Sequence, residues 1–178
     1  MSAKKGLMIF INIFGGTAVL GSYIFGFLTH PAAVEVLWGG VPQNIRPFYT
    51  ANMFLAAASY FAFTYFILFR LNVHDTRIYS RFGFGVFNSL YAAILIPSAL
   101  WMPFTFWAVE HSSLALLWVV RIVLAAVGLA SLGLILALLK VEPRQPCWSY
   151  WLAVVGSVFF FFQTAILDAI IWGALFRV

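Results

Sequence analysis

Apolar residues run along this chain in five long blocks, at 6–28, 48–69, 82–107, 114–139 and 148–176, each broken by a short stretch of charge, proline or glycine. About 17 to 25 apolar residues are enough to cross a bilayer as an α-helix. The pattern therefore predicts an all-α protein, an integral membrane bundle of five transmembrane helices forming a single domain over residues 1–178. The first block follows Lys4 and Lys5, as a secretory signal would. Its length exceeds the 7 to 15 residues of a signal core, and a retained first helix is expected. The longest connection, 29–47, carries Pro31, Pro42, Pro47 and the Gly39-Gly40 pair and is too apolar for a solvated linker. It is expected to fold over the mouth of the bundle as a lid.

Two opposite charges interrupt the last two blocks. Arg121 lies 19 residues before Lys140, and Asp168 lies 20 residues after Trp148. In an antiparallel hairpin rising about 1.5 Å per residue, those offsets place both side chains at one depth. Ionisable groups inside a membrane face the bundle interior and pair or line a cavity. Arg121 and Asp168 are thus expected to meet, or to share one polar cavity. Ala125 and Gly128 recur at helical spacing from Arg121 and would let a helix approach, while Thr164 and Trp172 share the stripe of Asp168.

Composition agrees with the block pattern: 64% of residues are hydrophobic, 8% charged, and the mean hydropathy is +1.01. The net charge of +5 rests on ten cations too scattered for nucleic acid. Lys4, Lys5, Arg70, Arg77, Arg81, Lys140 and Arg144 fall at the N-terminal side of the blocks, and Arg46 and Arg177 at the other. Loop cations accumulate on the cytoplasmic side, which predicts a cytoplasmic N-terminus and a C-terminus on the opposite side of the bilayer. The lid, Asn52, Arg121 and Asp168 then share the non-cytoplasmic half.

Catalytic and metal chemistry finds little support. The single Cys147 excludes an internal disulfide or a CxxC site. His30, His74 and His111 sit in loops or at helix ends, so no transmembrane bis-histidine haem is expected. His30 and His111 with Glu35 and Glu110 offer at most a peripheral site, and no metal is assigned. No spanning lysine could carry a Schiff base. Asp168 as a general base would be the only argument for an enzyme. Asn12, Asn88 and Gln163 read as glue between helices, whereas Asn52 shares the pocket side. Pro97 and Pro103 free carbonyls within the third block, where a kink beside a cavity would follow. The 20 Phe, 7 Trp and 7 Tyr are too many for interfacial belts alone.

Short motifs support a family resemblance. Ser98-Ala-Leu-Trp101-Met-Pro103-Phe-Thr-Phe106 is similar to the Asn-x-x-Trp-x-Pro-x-x-Phe run in the third helix of the translocator proteins, or tryptophan-rich sensory proteins (TspO/MBR). Leu167-Asp168-Ala-Ile-Ile-Trp172 resembles that family's Leu-Asn-x-x-x-Trp, and Ser59-Tyr60 a weaker pattern in its second helix. The chain departs from the family at Ser98 and Asp168, where asparagines are expected, at Arg121, and over 42–48, where a Trp-x-Pro-Pro stretch is expected. The resemblance implies a five-helix bundle, often a homodimer, that binds a porphyrin, another tetrapyrrole or a sterol beneath its first loop. It implies a lining of Trp38, Asn52, Ser98, Trp101 and Asp168. Arg121 would add an anchor for a carboxylate, and Trp172 shares the stripe of Asp168. The resulting expectation is a carrier, sensor or scavenger of a hydrophobic planar molecule in the bilayer; the alternative is an accessory subunit of a respiratory or photosynthetic membrane complex.

Overall fold

The computed structural model describes residues 2–144 and 146–178. Five helices long and apolar enough to cross a membrane make up the bundle. The first, α1 (Ala3–Thr29), starts where the Ser2 hydroxyl accepts the Lys5 amide at 3.4 Å. A short α2 (Ala33–Trp38) and a 3₁₀ turn at Gln43–Ile45 follow. The second span, α3 (Arg46–Tyr65), ends in a π-helical turn, Phe66–Arg70. The third, α4 (Gly85–Glu110), continues through both Pro97 and Pro103, with the Ser98 and Thr105 hydroxyls donating to the Ile94 and Trp101 carbonyls at 2.7 Å. The fourth, α5 (Leu114–Leu139), is capped by the Ser113 hydroxyl, which accepts the Leu116 amide. The fifth begins as α6 (Trp148–Phe161), widens into a π-helix over Phe162–Trp172 and closes with a single turn, α7 (Gly173–Leu175).

At the N-terminal side, two-residue strands β1 (Arg77–Ile78), β2 (Phe82–Gly83) and β3 (Val141–Glu142) form a small antiparallel sheet in the order β2-β1-β3. It ties the loop after α3 to the loop after α5.

Within the bundle, α4 lies between α1 and α5, and the last helix packs against both α5 and α3. Two larger cores stack along the axis, beside a small third cluster of Met102 and Phe106. One, near the small sheet, gathers Phe63, Phe66, Phe84, Phe87, Tyr91 and Leu134; the other, beneath the first loop, gathers Val41, Tyr49, Val120, Leu167, Trp172 and Phe176. Outward faces carry large exposed apolar side chains, such as Phe10, Phe14, Phe25, Phe54 and Ile122. A soluble fold would bury such residues, whereas a bilayer solvates them. The chain is a multi-pass membrane protein of the all-α five-helix class.

The first loop is packed down. The Trp172 indole N–H donates to the Leu37 carbonyl at 2.7 Å. Gly39 has a positive φ of 48°, and a Cβ there would lie 2.6 Å from the Phe176 ring. Glycine meets both demands, the left-handed backbone and the close ring.

Candidate functional site

The site grows from the widened part of the last helix. In an α-helix, residues five apart point about 140° from one another. The i→i+5 bonding of a π-helix brings such residues onto one face. Gln163 and Asp168 are five apart within Phe162–Trp172, and Gln163 Nε2 donates to Asp168 Oδ1 at 2.8 Å. Tyr49 and Asn52, three apart on α3, face them. The Tyr49 hydroxyl donates to the same Oδ1 at 3.0 Å, and Asn52 Nδ2 donates to Gln163 Oε1 at 2.9 Å. Four polar side chains from two helices thus form one chain of hydrogen bonds inside the bundle. The second oxygen of Asp168 accepts no hydrogen bond among the described residues.

Aromatic rings surround this network. Trp38 meets Tyr49 edge to face at 5.7 Å between ring centres. Trp101 stacks on Trp172 at 5.8 Å, Trp172 on Phe176 at 4.2 Å, and Tyr23 of α1 meets Trp101 at 6.1 Å. Arg46 pins the loop from below. Its guanidinium lies 5.3 Å over the Trp38 ring, its Nε donates to the Val41 carbonyl at 3.1 Å, and Nη1 is 3.5 Å from Glu35.

Arg121 and Asp168 do not pair, contrary to the expectation from depth. Arg121 Nε donates to the Gly173 carbonyl at 2.8 Å, and its guanidinium lies 4.8 Å over the Trp118 ring. The reason is register. A Cβ on Gly128 would sit 3.0 Å from the Ala165 backbone, which marks the point where the hairpin closes. Arg121 is seven residues before Gly128, and seven residues after Ala165 is Trp172. Arg121 therefore stands about a turn beyond Asp168. There its cation meets a helix-terminal carbonyl, an interaction favoured by the helix dipole. Gly128 admits the neighbouring helix as expected, whereas Ala125 is exposed. Thr164, expected beside Asp168, shares a hydrogen bond with Ser131 of α5 at 2.8 Å.

Of the seven candidate residues, Trp38, Asn52, Trp101, Asp168 and Trp172 come together. Ser98 uses its hydroxyl on its own helix, and Arg121 lies outside the network. None of the seven lines the hollows of about 380 Å³ beside Lys4 and 350 Å³ beside His30. Sequence reasoning missed Tyr49 and took Gln163 only for glue. The spacing of Tyr49 to Asn52 was the available signal.

The histidines also fall elsewhere. His30 Nε2 lies 3.0 Å from Glu110 Oε1, with its ring stacked on Phe106 at 3.9 Å, and no group of three metal-ligating side chains occurs among the described residues. Comparison with protein-family models, curated proteins and solved structures finds no match to this chain.

Proposed function

We propose that the protein binds a hydrophobic, ring-bearing molecule of tetrapyrrole or sterol type in the membrane, as carrier, sensor or scavenger, at the cluster around Asp168. The observation that carries this reading is the pairing of an intramembrane carboxyl group, with one oxygen unclaimed, and a shell of Trp38, Trp101 and Trp172 beneath a pinned loop. The resemblance of 98–106 and 167–172 to the translocator protein family points the same way. With Arg121 turned to Gly173, the anchor is an acceptor rather than a cation. The favoured ligand group is then a donor, such as a sterol hydroxyl or a pyrrole N–H, and a carboxylate is disfavoured. Access requires the loop to lift from Trp172 and Phe176.

Tryptophan quenching on titration with a porphyrin or a fluorescent sterol tests this. Asp168→Asn keeps an oxygen for Tyr49 but turns the free acceptor into a donor, and a weakening of about tenfold or more is expected. Arg121→Leu should change affinity less than threefold. Equal affinities for the native protein and Asp168→Asn would overturn the assignment. In this reading the N-terminus and the small sheet lie on the cytoplasmic side, where the loop cations collect.

The accessory-subunit reading draws on α1, which packs chiefly on α4 and leaves its other faces apolar and exposed. Stoichiometric purification with other subunits would favour it over a free monomer or homodimer carrying ligand.

A further inference from the structure

At the end of the bundle away from Asp168, α1 begins against the segment 71–83 and leaves a hollow of about 380 Å³, lined by Ser2, Ala3, Lys4, Val73, His74 and Arg77. Its walls are fixed. Arg77 Nη1 donates to the His74 and Thr76 carbonyls, both at 3.1 Å, and the Arg77 backbone is paired with Gly83 and Glu142 in the sheet. Asn88 Nδ2 of α4 donates to the Lys4 carbonyl at 3.1 Å, which ties down the first turn of α1. Lys4 Nζ reaches over β2, where a Cβ on Gly83 would be 3.9 Å away.

The cations lining this hollow have no ion-pair partner among the described residues. Asp75 accepts from Asn72 Nδ2 at 2.6 Å, and Glu142 accepts from the Ser80 hydroxyl at 2.9 Å. Neither forms an ion pair with Lys4 or Arg77 among the described residues. Other cations nearby are engaged: Lys140 lies over the Tyr79 ring at 5.8 Å, Arg81 over Phe82 at 5.4 Å, and Arg144 donates to the Leu139 carbonyl at 3.1 Å. Lys4 and Arg77 face one concavity, where Arg77 Nε and Nη2 make no hydrogen bond among the described residues, and the positive end of the α1 dipole adds to their field. The concavity opens at the first residues of a helix long and apolar enough to cross a membrane, and the ends of such helices meet the headgroup region. Its apolar lining by Ala3 and Val73 suits the start of a lipid's acyl chains better than a hydrated ion.

We propose that this hollow binds the phosphate headgroup of an anionic membrane lipid, held by Lys4 and Arg77 with His74 at the rim. The test uses the full chain in detergent, titrated with phosphatidylglycerol and followed by native mass spectrometry. At about fivefold per surface cation, Lys4→Gln/Arg77→Gln should weaken binding about 30-fold. Arg70→Gln/Arg144→Gln, which removes the same charge outside the hollow, should change it less than threefold. Lys4→Arg/Arg77→Lys should retain binding, which separates loss of charge from loss of fold. An equal loss in both charge-removing variants would show diffuse attraction and overturn the site. So would phosphatidylcholine binding as tightly, or inorganic phosphate displacing the lipid at equal concentration.

Discussion

Removing the Tyr49 hydroxyl takes away one of the two donors on Asp168 Oδ1, while removing the Arg121 guanidinium takes away a donor to Gly173 and nothing from Asp168. The two perturbations separate the observed network from the ion pair that helix depth alone predicts. Hydrogen bonds between helices in membrane proteins couple by about 0.6 kcal/mol on average and about 1.7 kcal/mol at most. A cycle of Tyr49→Phe with Asp168→Ala should therefore give a coupling of about 0.6 to 1.7 kcal/mol. A cycle of Arg121→Leu with Asp168→Ala should be additive within about 0.5 kcal/mol, since their side chains share no hydrogen bond and the two residues have in common only the Gly173 backbone. Unfolding in mixed micelles, followed by circular dichroism, measures both cycles on the same footing. Coupling above about 1 kcal/mol between Arg121 and Asp168, together with none between Tyr49 and Asp168, would restore the ion pair. It would remove the π-helical geometry on which the site is built.

Two further outcomes follow from the loop and from the N-terminal side. Trp172→Phe keeps the ring stack on Trp101 and Phe176 but loses the donor to Leu37, so amide exchange over residues 33–45 should quicken about fivefold, for a hydrogen bond worth about 1 kcal/mol. Unchanged exchange would mean that the indole does not hold the loop. Cys147, outside the spans, has its thiol held below the usual range, chiefly by the Ser149 hydroxyl at 3.1 Å and then by the Tyr150 backbone. A lowered thiol pKa puts more thiolate in solution near neutral pH. Maleimide labelling of Cys147 should then set in at lower pH than for a free thiol, and Ser149→Ala should move the onset upward; identical pH profiles would refute the role of Ser149.

The five spans were legible because hydrocarbon length and loop punctuation are local properties of the sequence. Their predicted limits fall within a few residues of Ala3–Thr29, Gly85–Glu110 and Leu114–Leu139. The packed first loop was legible for the same kind of reason, since its composition forbids a solvated excursion. The small sheet was not, because strands of two residues carry no period. Its strand β3 occupies Val141–Glu142 in the connection between α5 and α6.

The candidate site shows where a fixed helical period misleads. Stripes drawn at 3.6 residues per turn group Asp168 with Thr164 and Trp172, but the widened backbone over Phe162–Trp172 joins it to Gln163 and sends Thr164 to Ser131. Neither Gly nor Pro marks that change, so nothing in the local sequence announces it. The partner residues suggest its cause. An α-helical course would turn Gln163 and Asp168 about 140° apart and leave at least one polar side chain without a partner in hydrocarbon. The π-helix places both toward Tyr49 and Asn52, so that α3 satisfies the pair together. The widened period and the buried polar network are then one feature: the backbone widens because two polar groups, five residues apart, need the same neighbouring helix.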